Sequence, residues 1–293
     1  MRIHLIGYRL KRCKGLTLIE LLVAMAISAV LTAALYRTFI GQHKTYAVQE
    51  QIVDMQQNAR VAISRMMREI RMAGFGNVGD VLDLPGGVNG FTNVITPNDN
   101  SITIVGGFRQ ISTLAADAAV GQNKITLANA KDASEFDGAT HHRYISIGGL
   151  ESNTVQSITG TDLTLEKPLK LDHKTTDREG KPLIVPIFKI HAIRYGVRDD
   201  DGVPVLFRDL YPNTVSTQRD TVAENIESVR FEYFDAIGNP TAIPANIRMV
   251  KVTVTARTRM PDIEIRKEGK LLKEEYRRRT IISNILVRNN LNP

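Results

Sequence analysis

The sequence is poor in residues that cross-link a chain or interrupt a helix. Its 293 residues include one cysteine, Cys13, and no tryptophan. A single thiol excludes a disulfide within the chain. Between Leu16 and Ala73, Gly41 is the only residue that is either glycine or proline, and between Leu16 and Tyr36 the only charged residue is Glu20. A helix over this range therefore meets one weak point, since glycine inside a helix costs about 1 kcal/mol relative to alanine.

Positive charge is concentrated at the start of the chain. The formal net charge is +7, and residues 1–15 hold five cationic side chains and no acidic one, which leaves +2 for the remainder. The cationic residues are Arg2, Arg9, Lys11, Arg12 and Lys14. Because the basicity belongs mainly to this segment, we expect no nucleic-acid partner for the chain as a whole.

The apolar run from Leu16 to Tyr36 is long enough for one helix to cross a bilayer. The basic residues ahead of it favour a cytoplasmic amino terminus. A secretory signal carries its small-residue cleavage site after the apolar core, whereas Gly15 precedes it. A plain membrane anchor leaves Glu20 unexplained, because a carboxylate in a membrane helix costs on the order of 3 kcal/mol.

Residues 14–24, KGLTLIELLVA, resemble the prepilin cleavage and methylation motif of type IV pilins and type II secretion pseudopilins. The resemblance implies that a prepilin peptidase cuts between Gly15 and Leu16 and methylates the new amino terminus at Leu16. The family usually has phenylalanine after the cut, and Leu16 departs from that pattern. The apolar helix would remain in the product. That product is expected in the bacterial inner membrane, single-pass, with its head periplasmic, before it enters a pilus or pseudopilus.

Cleavage would create a positive amine on Leu16 in or near the membrane. Glu20 is then expected to pair with that amine on a neighbouring subunit, because each charge is costly alone at low dielectric and tolerable when paired. This predicts a role for Glu20 in subunit assembly; the alternative is a carboxylate that simply reaches the membrane surface. The partners implied are the prepilin peptidase/methyltransferase, other pilins and minor pilins, inner-membrane lipid and the pilus assembly platform.

The helical pattern continues beyond the apolar run. Apolar residues recur at three- and four-residue steps from Ile52 to Ala73, which predicts a stripe that packs on a sheet. Glycines and an asparagine over 74–77 favour the end of the helix. We therefore divide the first part of the chain into a leader, 1–15, and a helix, 16–75. The helix is predicted to be membrane-embedded over 16–40 and amphipathic over 41–75.

The remainder is predicted to be β-rich, in short runs between turn residues. We expect a β-rich region over 76–186, with a small β module at about 122–168, and the C-terminal antiparallel sheet of the head over 187–293. The fold class predicted is α+β and pilin-like: a long N-terminal membrane-spanning helix packed on an antiparallel sheet head, with an inserted β module. Residues 66–75, 193–195, 206–208 and 288–290 resemble PilW-type minor pilins and J-type minor pseudopilins. The candidate strands are Ser101–Val105, Lys124–Leu127, Arg143–Ile147, Thr154–Ile158, Asp162–Glu166, Ile187–Val197, Val203–Arg208, Ile226–Phe234, Arg248–Thr258 and Thr280–Val287.

Few other residues suggest a chemical site. His141 and His142 are adjacent and would point to opposite faces of a strand, so they form a poor metal chelate. Residues 198–202 predict a hairpin turn. The alternative is a calcium site with Asp199 and Asp201 as ligands, but these residues lack the spacing of a helix-loop-helix calcium loop. Basic residues over 266–279 alternate with glutamates and predict a solvated hairpin, with DNA contact as the alternative. We expect no enzymatic activity and no cofactor.

The sequence thus favours a minor, low-copy type IV pilus subunit that acts in pilus assembly or initiation. A large head is more compatible with a subunit at the filament tip than with the main subunit that repeats along the filament. A minor pseudopilin of a type II secretion system is the alternative within the same family. A membrane-anchored adhesin or ligand-binding module, whose head acts alone, is the alternative from another class.

Overall fold

The computed structural model describes residues 17–136, 143–214, 218–261 and 276–289. It comprises two compact units, Met1–Glu50 and Gln51–Pro293. Helix α1 (Leu18–Arg71) contributes residues to both units. The predicted cleavage pair Gly15 and Leu16, the histidines His141 and His142, and most of the basic strip over 266–279 lie outside the described residues.

In the first unit, α1 begins after Thr17, and its apolar side chains from Leu18 to Ile40 are exposed. By length and composition, this segment is able to cross a membrane. The helix continues through Gly41, where the Thr45 hydroxyl donates a hydrogen bond to the Gly41 carbonyl at 3.0 Å. One glycine is therefore not enough to interrupt the helix here.

In the second unit, α1 buries one stripe against the sheets. The stripe shows the predicted three- and four-residue spacing, and α1 ends at Arg71, four residues before the end of the predicted helix at residue 75. Beyond it, Gly74 has a φ of +78° and donates its N–H to the Val105 carbonyl at 2.8 Å. The left-handed backbone at Gly74 lets the chain turn away from the helix. The buried apolar residues of the stripe are Met55, Ala59, Ala62, Ile63, Met66 and Ile70.

The larger sheet has nine antiparallel strands in the described part of the chain. Its main path runs β1-β2-β7-β4-β5-β6-β3, while β8 pairs with β7 and β9 pairs with β8. The strands are β1 (Ile95–Pro97), β2 (Ser101–Thr113), β3 (Lys124–Thr126), β4 (Tyr144–Ile147), β5 (Glu151–Thr159), β6 (Asp162–Leu165), β7 (Pro186–Asp200), β8 (Val203–Leu210) and β9 (Gln218–Glu224).

Strand β7 is the centre of this sheet. One side of β7 pairs with β2, while its other side pairs with β4 near its start and with β8 from Ile193 onward. The sheet therefore runs across residues 186–187, where the sequence suggested a division between the β-rich region and the C-terminal sheet.

Two strands were not predicted. Strand β1 has three residues and contains proline, and β9 is mostly polar, so neither shows a clear apolar alternation.

A separate three-stranded sheet contains β10 (Ile226–Phe234), β11 (Met249–Arg257) and β12 (Arg278–Leu286), in that order. Strand β11 lies within the predicted strand Arg248–Thr258 and alternates, with its valines buried on one face. Short helices α2 (Gly79–Leu82) and α3 (Ala130–Ala133) and a 3-10 turn (Pro244–Asn246) complete the described elements.

Three apolar clusters form the cores. The first joins the buried stripe of α1 to residues of both sheets. The second lies inside the module formed around β3 to β6 and α3, and the third surrounds α2. The predicted α+β architecture, a long apolar N-terminal helix followed by an antiparallel sheet head with an inserted β module, is confirmed.

Candidate functional site

Thr17 and Glu20 close the first turn of α1 by reciprocal hydrogen bonds. The backbone N–H and the hydroxyl of Thr17 each donate to Glu20 Oε2 at 2.8 Å. The Glu20 N–H in turn donates to Thr17 Oγ1 at 3.4 Å. This arrangement is a capping box, which satisfies backbone donors that the helix start leaves free. Glu20 therefore has a local role that our sequence interpretation missed, although Thr-x-x-Glu ahead of an apolar run is a recognisable signal.

The cap does not use the whole carboxylate of Glu20. Both hydrogen bonds from Thr17 go to Oε2, and Oε1 accepts no hydrogen bond from any residue within the described ranges. A carboxylate oxygen can accept more than one donor. Glu20 can therefore hold the first turn of α1 and still meet a second cationic or N–H donor.

The apolar half of α1 is exposed, and no described residue of its unit covers it. Leu18 is 80% exposed, Val30 71% and Leu35 62%. An apolar surface of this extent is typical of a membrane or protein contact. The Thr32 hydroxyl donates to the Ser28 carbonyl at 2.7 Å, so this polar side chain is satisfied within the helix. Both properties suit a helix that lies in lipid or among other helices.

In the second unit, a buried ionic network links α1 to the large sheet. Arg208 Nε lies 3.0 Å from Glu69 Oε2, and the side chains of both residues are 10% exposed. The Tyr195 hydroxyl donates to the same oxygen at 2.6 Å, and Arg65 Nε lies 3.2 Å from Oε1. Burial, with the Glu69 carboxylate adding to it, raises the pKa of Tyr195 far above its usual value. The network was not predicted because its members come from distant parts of the sequence.

A second group of buried polar residues lies on β7. The Lys189 ammonium donates to the Glu135 carbonyl at 2.7 Å, and burial lowers the pKa of Lys189. Two residues on, the His191 ring lies 5.3 Å from that of Phe108 and 5.4 Å from that of Tyr211, centroid to centroid. Burial, reinforced by nearby cations, lowers the pKa of His191 to about 3. His191 is therefore neutral in the folded chain near neutral pH.

The predicted turn between β7 and β8 is present. Asp199 Oδ1 accepts the Gly202 N–H at 2.7 Å, and Arg198 Nη2 lies 2.9 Å from Asp200 Oδ2. Asp201 occupies the left-handed region with a φ of +52°. Within the four described ranges, no group of three or more His, Cys, Asp or Glu side chains is arranged to hold a metal ion. The acidic residues of this turn are explained by its backbone and by Arg198.

The comparisons with known proteins concern the start of the chain. Residues 10–36 match the prokaryotic N-terminal methylation motif. This range includes Gly15, Leu16 and the Thr17–Glu20 capping box, and it ends before the β-rich head. No curated protein and no solved structure matches the chain. The chain thus carries the amino-terminal motif of a type IV pilin- or pseudopilin-type precursor.

Proposed function

We propose that this protein is a minor subunit of a type IV pilus that acts in pilus assembly or initiation. In this proposal a prepilin peptidase removes residues 1–15 and methylates Leu16, and the apolar half of α1 packs into the filament. The observation that carries the proposal is the methylation motif at residues 10–36, together with the exposed apolar side chains that α1 carries from Leu18 to Ile40. Such a surface is stable in inner-membrane lipid before assembly and against other helices afterwards.

Glu20 would direct the packing of the helix. Its Oε1 would receive the Leu16 amine of a neighbouring subunit, while Oε2 stays in the cap with Thr17. Pairing removes the cost of leaving either charge alone at low dielectric. A head made from most of the 243 residues after Glu50 favours a low-copy position, because a repeated subunit gains from being compact.

The identity of the mature amino terminus tests the first step. We expect mass spectrometry of protein isolated from membranes to find a chain that begins with N-methylated Leu16. The substitution Gly15→Arg should leave the chain uncut because the peptidase reads the small residue before the cut. A wild-type chain that retains Met1 would contradict the proposal.

Substitutions at Glu20 and Thr17 separate helix capping from charge pairing. Glu20→Gln keeps an oxygen for the cap and removes the charge, whereas Thr17→Ala keeps the charge and weakens the cap by about 1 kcal/mol. We expect Glu20→Gln to be cleaved and methylated normally but to be missing from sheared filaments. Thr17→Ala should be incorporated. Incorporation of Glu20→Gln at the wild-type level would show that pairing with the amine is not needed.

Quantification of the subunits in the same filaments tests the minor role. We expect this protein at a small fraction of the main filament subunit. Equal amounts would point to a structural repeat, and co-purification with secretion-system components in place of pili would favour the pseudopilin alternative.

A further inference from the structure

A groove lies in the second unit between α1 and the edge of the large sheet. Arg60, Val61, Arg65 and Arg68 of α1 line one side of it. Arg208 of β8 and the β9 segment that contains Asp220 line the other side. The groove has a volume of about 570 Å³, which is enough for several side chains of a bound segment.

The groove is cationic. Arg65 and Arg208 both face the buried carboxylate of Glu69. Arg60 and Arg68, by contrast, are exposed, and neither forms a salt bridge with any of the residues that the structure describes. The lining of the groove contains four arginines and one acidic residue, Asp220, and the carboxylate of Glu69 lies beneath it. Two unneutralised guanidinium groups at the surface of a groove attract carboxylates or phosphates.

The lining favours a protein segment over a nucleic acid. Val61 is 47% exposed between the arginines, and Val222 of β9 is half-buried beside it, so the groove offers apolar contact as well as charge. Asp220 would repel a continuous row of phosphates. The chain after residue 15 has a net charge of only +2, which is small for a nucleic-acid surface.

We propose that this groove binds an acidic segment of a neighbouring filament subunit, whose carboxylates pair with Arg60 and Arg68. This partner assignment rests on the proposed function, in which a filament brings a second subunit alongside α1. The two arginines are eight positions apart on α1, about 12 Å along the helix axis. In an extended segment, acidic residues at i and i+4 lie about 13 Å apart and point to the same side. The expected binding segment therefore carries two acidic side chains at that spacing.

The binding test uses the full-length protein in a neutral detergent and a fluorescein-labelled Gly/Ser peptide with glutamates at i and i+4. We expect anisotropy to show binding at low salt. The double substitution Arg60→Glu with Arg68→Glu should weaken it by roughly tenfold or more. The matched control is Arg178→Glu with Arg230→Glu, which makes the same charge change at exposed arginines outside the groove and should leave binding within about twofold. A peptide with glutamines in place of the glutamates should not bind.

Three results would overturn the proposal. The first is equal weakening by the groove variant and the control, which would mean a diffuse charge effect. The second is tighter binding of a DNA duplex than of the acidic peptide, with loss in the groove variant, which would assign the groove to nucleic acid. The third is the absence of peptide binding by the wild-type protein.

Filament assays separate this inference from the proposed function. The groove variant should be cleaved and methylated at Leu16 like the wild type and be depleted from sheared filaments, while the Arg178/Arg230 control is incorporated normally. Normal incorporation of the groove variant would remove the partner assignment and leave the pilus role standing. Absence of the wild-type protein from filaments would instead contradict the pilus role itself.

Discussion

Replacing Glu69 with glutamine tests whether the buried ionic network fixes the second half of α1 to the sheet. The Arg208 side chain is 10% exposed, so loss of the carboxylate leaves its guanidinium almost fully desolvated and without its counter-charge. Breaking a buried pair from one side costs about 3–5 kcal/mol. Each kcal/mol lowers the Tm of a domain of this size by about 2–4 °C. We therefore expect Glu69→Gln to lower the Tm by roughly 6–20 °C.

Thermal unfolding of the detergent-solubilised full chain, followed by circular dichroism, measures this effect. The matched control is Arg65→Gln, which removes the ion pair between α1 residues whose arginine is 43% exposed. That variant should lose only about 0.5 kcal/mol. The double variant Glu69→Leu with Arg208→Leu should recover much of the loss, because neither charge remains unpaired. A Tm change for Glu69→Gln as small as that for Arg65→Gln, or no recovery in the double variant, would refute the reasoning.

Two further predictions concern the head. Because burial lowers the pKa of His191 to about 3, the unfolded chain binds a proton between pH 6.5 and 3 that the folded chain does not. The free energy of unfolding, measured in urea, should therefore fall as the pH drops through this window, by up to about 1.4 kcal/mol per pH unit from this group. The substitution His191→Gln should reduce that slope. An unchanged slope would contradict the lowered pKa of His191. Gly74→Ala should cost more than about 2 kcal/mol in the same assay, because the left-handed backbone disfavours a side chain and the new Cβ would overlap the Asn289 carbonyl. Gly79→Ala, whose Cβ meets nothing within 4 Å, is the control and should be nearly neutral.

Local patterns in the sequence predicted much of the fold. The stripe from Met55 to Ile70 follows from helical spacing, and β10 has the bounds predicted for the strand Ile226–Phe234. The turn over 198–202 follows from its Asp-Gly pair. The strand β9 could not be read in this way, because an edge strand with polar side chains has no apolar face to show.

The candidate site also contains features that a local sequence pattern could predict and features that it could not. The Thr17–Glu20 capping box depends on a spacing of three residues and was visible in principle. The network around Glu69 was not, because Tyr195 and Arg208 lie 126 and 139 residues further along the chain. A glutamate on a helix is ordinarily solvated, and only the packing of α1 on the sheet makes this one buried. The cationic groove likewise depends on β9, whose position no local pattern defines.

The register between β2 and β7 has a consequence for how this head can vary. Thr113 and Pro186 are directly paired, so the chain leaves the sheet at one residue and returns at its immediate neighbour. The intervening segment supplies its own apolar core, built around residues such as Leu127, Phe136 and Leu163. Excision of this segment and closure with a two-residue turn would leave β2 and β7 as an ordinary hairpin. The contacts of Glu69 on α1 with Tyr195 and Arg208 would be kept, because none of these residues lies in the segment. Strand β7 would, however, lose its pairing with β4, and Lys189 would lose the Glu135 carbonyl as its acceptor.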